Sequence, residues 1–310
     1  MEPIVVGIDV SKDRLDIHVL PARHAFAVAQ DSEGLNELGN RLTALAPQIV
    51  AIEATGGLEV VAAAALAARG LPVVVVNPAQ IRAFATALGQ RAKTDPIDAE
   101  VIARFALATS PQIRPLPDTQ TQMLGDLVAR RRQIVAMIAA ERQRRHRLSA
   151  PPLIKSIKRL IAALERELDT VDGEIDKAVR SSPVWREKED LLRTVPGVGR
   201  VIARTLLAEL PELGHLDRKQ VASLAGLAPF TRQSGKWKGK TFIGGGRAAV
   251  RSLLFVGALV ASRRNPTLQT FYHSLLSAGK SKMVALIAVA RKLLTILNAI
   301  LRDKIPWKIA

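Results

Sequence analysis

Apolar and polar positions follow a period of two at the start of the chain and a period of three to four further on. From Pro3 an apolar run closes on Asp9, Ser11-Lys12-Asp13-Arg14 forms a polar turn, and Leu15, Ile17 and Val19 then alternate with other residues as far as Pro21. Alternation on both sides of a short polar turn predicts a β-hairpin. A third short strand is expected over Ala25–Ala29, a helix over Ser32–Leu45, a strand over Ile49–Glu53, a helix over Leu58–Arg69 and a strand over Val73–Val76. Three antiparallel strands followed by alternating helices and parallel strands describe an α/β domain of the ribonuclease-H-like class, assigned to residues 1–110.

Pro111, Pro115 and Pro117 punctuate the next boundary. Beyond them the strand signal stops. Leu153, Ile157, Leu160, Leu164, Leu168, Val171 and Ile175 recur at three- and four-residue steps, which predicts a helix with an apolar seam, read as a coiled-coil segment over residues 111–182. The helix before it carries Arg130, Arg131, Arg132, Arg142, Arg144, Arg145 and Arg147. Such a run is either a solvated face or a nucleic-acid contact, and the pattern alone leaves both open. Residues 183–310 read as mainly α apart from a loop rich in Gly and Lys. Within them, Pro196-Gly197-Val198-Gly199 separates two amphipathic helices in the manner of a helix-hairpin-helix. Gly197 and Gly199 would let backbone N–H groups approach a phosphate at a helix N-terminus, although the same turn also serves plain helix packing.

Composition sharpens this picture. The 310 residues carry 45 Lys and Arg against 28 Asp and Glu, a formal net charge of +17, and such an excess favours a polyanionic partner. The charge is unevenly spread: residues 1–110 hold 9 basic and 12 acidic side chains, residues 111–310 hold 36 and 16. Basic surface and carboxylates therefore sit in different parts of the chain, as expected where acids hold a cation against phosphates that bases attract. The absence of cysteine excludes disulfides, thiolate zinc sites and cysteine nucleophiles. The N-terminus has no basic region followed by an apolar stretch, and no uncharged apolar run approaches the roughly 18 residues of a membrane span. A soluble cytoplasmic protein without a membrane partner is the expectation.

The carboxylates are the candidate chemistry. Asp9 closes the first predicted strand and Glu53 the fourth, and these strands are neighbours in the expected fold. Asp95 and Asp98 lie three apart, about one helical turn. Hard divalent cations take oxygen ligands, so four converging acids would suit metal-assisted phosphoryl transfer. Each acid also has an ordinary reading: Asp95 before Pro96 looks like an N-cap, Asp98 complements a helix dipole, and Asp9 and Glu53 are acceptable strand ends.

With GIDVSK at Gly7–Lys12, AIEATGG at Ala51–Gly57 and KTDPIDA at Lys93–Ala99 in view, the chain resembles the DEDD transposases of bacterial insertion sequences, the bridge-RNA-guided recombinases. The likeness continues through Gly226–Pro229, Arg232–Lys236, Gly245–Arg251, Arg264–Pro266 and Arg291–Ala299, in order and over nearly the whole chain. It implies a RuvC-like nuclease domain, a helical middle that builds a homo-oligomer (dimer or tetramer), and a C-terminal transposase domain bearing a serine nucleophile. Carried residue by residue, the acidic set falls on Asp9, Glu53, Asp95 and Asp98, with Mg²⁺ or Mn²⁺ as cofactor, and the nucleophile falls on Ser234. Taken by itself, a Ser beside Gly235 in a Lys-rich loop reads as a turn residue.

The function implied is RNA-guided strand cleavage and exchange on donor and target double-stranded DNA, with a non-coding bridge RNA as second partner and a phosphoserine–DNA intermediate. Arg232, Lys236, Lys238 and Lys240 would neutralise phosphate charge beside the serine. Two alternatives stand beside it: a RuvC-like Holliday-junction-resolving nuclease that uses water, and a non-catalytic nucleic-acid-binding scaffold.

Overall fold

A computed structural model describes residues 2–90, 95–113, 118–231, 233–234, 237–239 and 241–308, with the backbone alone for Asp95, Pro96, Trp237 and Lys238. Arg232, Lys236 and Lys240 lie outside the described residues. The chain divides into two compact units, Met1–Pro117 and Asp118–Ala310.

The first unit is built on strands β1 (Val5–Val10), β2 (Arg14–Leu20), β3 (His24–Ala29), β4 (Ile49–Glu53) and β5 (Val73–Val76), with helices α1 (Ser32–Leu45), α2 (Glu59–Ala67), α3 (Pro78–Ala87) and α4 (Asp95–Thr109). The sheet order is β3-β2-β1-β4-β5. β1 pairs antiparallel with β2 and β2 with β3, whereas β1–β4 and β4–β5 are parallel. A mixed five-stranded sheet of this order is compatible with a ribonuclease-H-like domain. Successive side chains point to opposite faces, so the alternating residues build two separate cores. Val6, Ile8, Leu15, Ile17, Val50 and Ile52 pack with Leu38 and Leu42 of α1 and Leu66 of α2. Val5, Ala51, Val74 and Val76 pack with Ile81 of α3 and with Val101, Ile102, Phe105 and Ala106 of α4. Each of the Val, Leu, Ile and Phe side chains among them, once buried, contributes about 1.5–3 kcal/mol. Asp31 caps α1 by accepting from Gly34 N at 2.8 Å, and Asn77 caps α3 by accepting from Ala79 N at 2.8 Å.

The second unit opens with α5 (Thr119–Arg145) and α6 (Pro151–Ser181). They run antiparallel as a long hairpin, with Arg131 on Asp172 at 2.6 Å and Arg142 on Glu165 at 2.7 Å. The apolar seam read on α6 holds in part, and its partner is α5 of the same chain: Leu124, Val128, Ile134 and Ile138 meet Ile161, Val171 and Ile175, whereas Leu153 and Leu160 of the expected seam are exposed and Ile161 takes the inward position. The same cluster continues into α7 (Pro183–Arg193), α8 (Arg200–Glu209), α9 (Arg218–Leu224), α10 (Ala248–Arg264), α11 (Pro266–Ser277) and α12 (Lys282–Asp303). Among the described residues α12 is the one helix long and apolar enough to cross a membrane. Its Val289, Leu293, Leu294 and Leu297 are fully buried in this core. Between α9 and α10 the Gly/Lys-rich stretch holds four two-residue strands, β6 (Pro229–Phe230), β7 (Gln233–Ser234), β8 (Trp237–Lys238) and β9 (Phe242–Ile243).

Candidate active site

The first unit gathers its candidate acids at one edge of the sheet. The parallel β1–β4 register runs Gly7↔Ala51 and Ile8↔Ile52, so Asp9 and Glu53 are the next residues on adjacent strands, with side chains on the face of Gly7. Helix α4 lies directly on that face. A Cβ on Gly7 would collide with Ala99 O and Ala103 N, so only glycine lets the helix backbone come this close. Ile102, Phe105 and Ala106 share a cluster with Val5, and the helix therefore runs against the direction of β1, bringing its first turn toward Asp9. That turn contains Asp95 and Asp98. The structure thus brings Asp9, Glu53 and the start of α4 to one end of one face. Among the described residues no group of three or more His, Asp or Glu could by itself hold a metal ion, and the Asp95 side chain lies outside those residues. Asp9, Glu53 and Asp98 are half-buried. Asp9 Oδ1 also accepts from Val10 N at 3.0 Å.

Two polar residues of β2 that the hairpin pattern does not single out share this face. Asp16 stands directly across from Asp9 in the register and is 3% exposed, its Oδ1 accepting from Arg14 Nε at 3.1 Å and Nη2 at 2.7 Å. His18, across from Gly7, is buried, and its Nε2 has no hydrogen-bond partner among the described residues. Burial pushes the His18 pKa below its ordinary value, against the opposing pull of Glu100 on α4. The signal for both residues was present in the sequence as polar positions inside a strand. It becomes legible only once α4 is known to cover the second face.

Behind Glu53 the chain turns through Gly56 and Gly57 at φ +77° and +117°, a region that favours glycine. Glu59 holds this loop, accepting from Thr55 N at 3.0 Å and Gly57 N at 2.8 Å.

In the second unit Ser234 is exposed and lies on a β-arm. β6 pairs with β9 through Pro229↔Ile243 and Phe230↔Phe242, and β7 pairs with β8 through Gln233↔Lys238 and Ser234↔Trp237. The serine therefore belongs to the second of the β7–β8 pairs, next to residues 235 and 236, which lie outside the described residues. Sequence reasoning reads this stretch as a loop, because two-residue strands leave no alternation to detect. The base of the arm is locked by residues that motif reading had not separated. Gly226 has φ +68°, and a Cβ there would collide with Arg251 Nη1 and Gly245 O. Arg251 Nη1 donates to Gly245 O at 2.6 Å, and Arg247 N donates to Leu224 O at 2.8 Å. The Arg247 guanidinium grips both oxygens of Glu212, at 2.5 and 2.7 Å. A two-bond Arg–carboxylate pair fixes orientation as well as distance.

The turn between α7 and α8 contains both glycines proposed to meet nucleic acid, and they differ. Gly197 has φ +106° and sits against Ala261 and Gly257 of α10, so helix packing already accounts for it. Gly199 is exposed at the N-cap of α8 with no side-chain cap, and nothing lies within 4 Å of where its Cβ would be. Buried Arg204 of α8 donates to Glu189 of α7 at 3.0 Å and to Asp176 of α6. Burial opposes the charge of Arg204, yet its bonds to Asp176 and Glu189 outweigh that and raise its pKa. The Arg204 hydrogen bond holds the Asp176 carboxyl below its ordinary range. Along α5, Arg131, Arg132, Arg142 and Arg144 pair with Asp172, Glu209, Glu165 and Glu141. Much of the arginine-rich helix is thus committed to acids of its own chain.

Residues 6–148 match the family model of DEDD transposases, described as a transposase, and residues 189–273 match the transposase model of the IS116/IS110/IS902 family. The chain is 33% identical to the pilin gene-inverting protein of Moraxella bovis, over 76% of this chain and 74% of that protein. It is 29% identical to an uncharacterized 42 kDa protein of insertion element IS900 from Mycobacterium paratuberculosis, over 50% of this chain and 38% of that protein. It is 28% identical to an uncharacterized 43.6 kDa protein of insertion element IS110 from Streptomyces coelicolor, over 49% of this chain and 37% of that protein. With an acidic sheet edge in one unit, a serine on a short strand in the other and both family models matched in order, the chain belongs to the IS110-type DEDD transposases, enzymes of DNA transposition and recombination.

Proposed function

We propose that this transposase exchanges DNA strands through Ser234, with Asp9, Glu53, Asp95 and Asp98 holding a divalent cation, Mg²⁺ or Mn²⁺. The observation that carries the proposal is the shared edge of Asp9, Glu53 and the first turn of α4, fixed by the β1–β4 register and by Gly7. An all-carboxylate donor set fits a hard cation and no soft one. When bound there, such a cation supplies Lewis-acid polarisation of a scissile phosphate.

Ser234 Oγ attacks the phosphorus. One P–O bond forms to serine as the P–O bond to the leaving nucleotide breaks, the serine proton is released and the leaving oxygen gains a proton. A phosphoserine–DNA ester results, which conserves the bond for rejoining to a second strand. Arg232, Lys236, Lys238 and Lys240, on the serine arm, neutralise phosphate charge. The exposed amides around Gly199, with the adjacent turn at Gly197, meet the DNA backbone at the start of α8. The acids and the serine belong to different units, and a homo-oligomer assembled through residues 111–182 brings them to one phosphate. Target choice is delegated to base pairing with a non-coding RNA, in keeping with a chain of only 4% aromatic residues that is strongly basic and suited to gripping helical backbones.

The test is a denaturing gel for protein–DNA adduct with donor DNA, target DNA, candidate flanking RNA and Mg²⁺. Wild type is expected to form an RNA-dependent adduct that Ser234→Ala and Asp9→Ala both abolish. Free cleaved strands from wild type and Ser234→Ala alike would replace the serine with water as nucleophile.

A further inference from the structure

We propose that Phe230 and Phe242 form a stacking platform for one unpaired DNA base close to the phosphate that Ser234 attacks. The inference deepens the proposed function and rests on its premise that the serine arm meets DNA. The chain has only 7 Phe, 3 Trp and 1 Tyr. Two of these few aromatics face each other directly across the β6–β9 pair, each 54% exposed. The neighbouring pair shows why. Ile243, one residue on, turns inward and packs against the core of the second unit, so strand alternation sends Phe242 and its partner Phe230 outward.

Charge identifies the occupant. Residues 229–243 contain Arg232, Lys236, Lys238 and Lys240 and no Asp or Glu. An apolar protein surface would gain nothing from these four cations, whereas a nucleic-acid strand offers phosphates to them and a π-face to the rings. Four residues of chain separate Phe230 from Ser234, so the two lie within roughly 14 Å, at a limit of ~3.6 Å per residue. That is about four stacked nucleotides at ~3.4 Å each, and fewer in an extended strand. A base that unstacks beside the reacting phosphate during strand exchange would therefore reach the platform. One or two rings suit a single held base, which differs from reading a sequence base by base.

The experiment uses the full-length protein and a 20-nucleotide single strand carrying 2-aminopurine, with the fully paired duplex as reference. Wild type is expected to quench the single strand's fluorescence on binding, and the Phe230→Ala/Phe242→Ala double variant is expected to lose the quench. Affinity for the single strand should fall about 5- to 150-fold with that for duplex unchanged. Phe230→Tyr/Phe242→Tyr should restore both signals, while the leucine pair, apolar without a π-face, should not. Unchanged quenching in the alanine variant overturns the proposal. So does a leucine pair that behaves as wild type, or an alanine pair that alters sedimentation and leaves DNA binding intact, since both mark a protein contact. Ser234→Ala, which removes only the nucleophile, should bind and quench normally. Quenching that survives while adduct formation proves independent of Ser234 would sink the serine mechanism and leave the platform standing.

Discussion

Single residues decide how close the elements of the acidic edge come. Gly7 is the clearest case, because the backbone of α4 occupies the space a side chain would need. Gly7→Ala should cost about 1–3 kcal/mol through overpacking, read as a lower urea midpoint. The larger effect should fall on chemistry. Pushing α4 outward carries Asp95 and Asp98 away from Asp9, and a shift of about 1 Å at a reacting centre can cost on the order of 10²-fold in rate. Adduct formation should therefore drop far more than DNA binding. Asp16 and His18 make a complementary point. The alternation of Leu15, Ile17 and Val19 announces one buried face of β2, but six of its seven residues are buried because α4 covers the other.

At the scale of elements, α6, α7 and α8 meet at Arg204. Its side chain is 10% exposed, between Glu189 at 8% and Asp176 at 27%. Removing one partner of a buried pair leaves a charge with too little compensation. Glu189→Ala is expected to destabilise the second unit by about 3 kcal/mol in urea unfolding, and Glu189→Gln by less. The network also positions the start of α8, so the alanine variant should weaken any contact made through Gly199. The β-arm follows a different logic. Its strands are too short to be held by their own pairing, and its geometry comes from the locks at its base among Gly226, Gly245, Arg247, Arg251 and Glu212.

For the whole molecule, the acid limb of stability can be assigned a sign. Asp176 has a pKa below its ordinary value of 3.8, chiefly through the Arg204 hydrogen bond. A depressed carboxyl binds fewer protons in the folded than in the unfolded state, so its contribution is complete above about pH 4 and is lost as pH falls through the lower folded value. Thermal melts of the second unit should show this loss, and Asp176→Asn should flatten it while lowering stability at pH 7. The strands of the first unit, the family motifs and the acids Asp9 and Glu53 were legible in the chain, because a two-residue period and an acid at a strand end are local properties. So was most of the apolar seam of α6, Leu153 and Leu160 excepted. The identity of its partner was not, since the same stripe serves an intermolecular coiled coil or the intrachain hairpin with α5. Nor were the second covered face of the sheet, the packing of Gly197 on α10 or the outward pair Phe230 and Phe242, each of which depends on which distant backbone arrives alongside. Local pattern determined what each segment would form, and only the tertiary structure decided which surfaces it would meet, because contacts between remote segments leave no periodic trace in either of them.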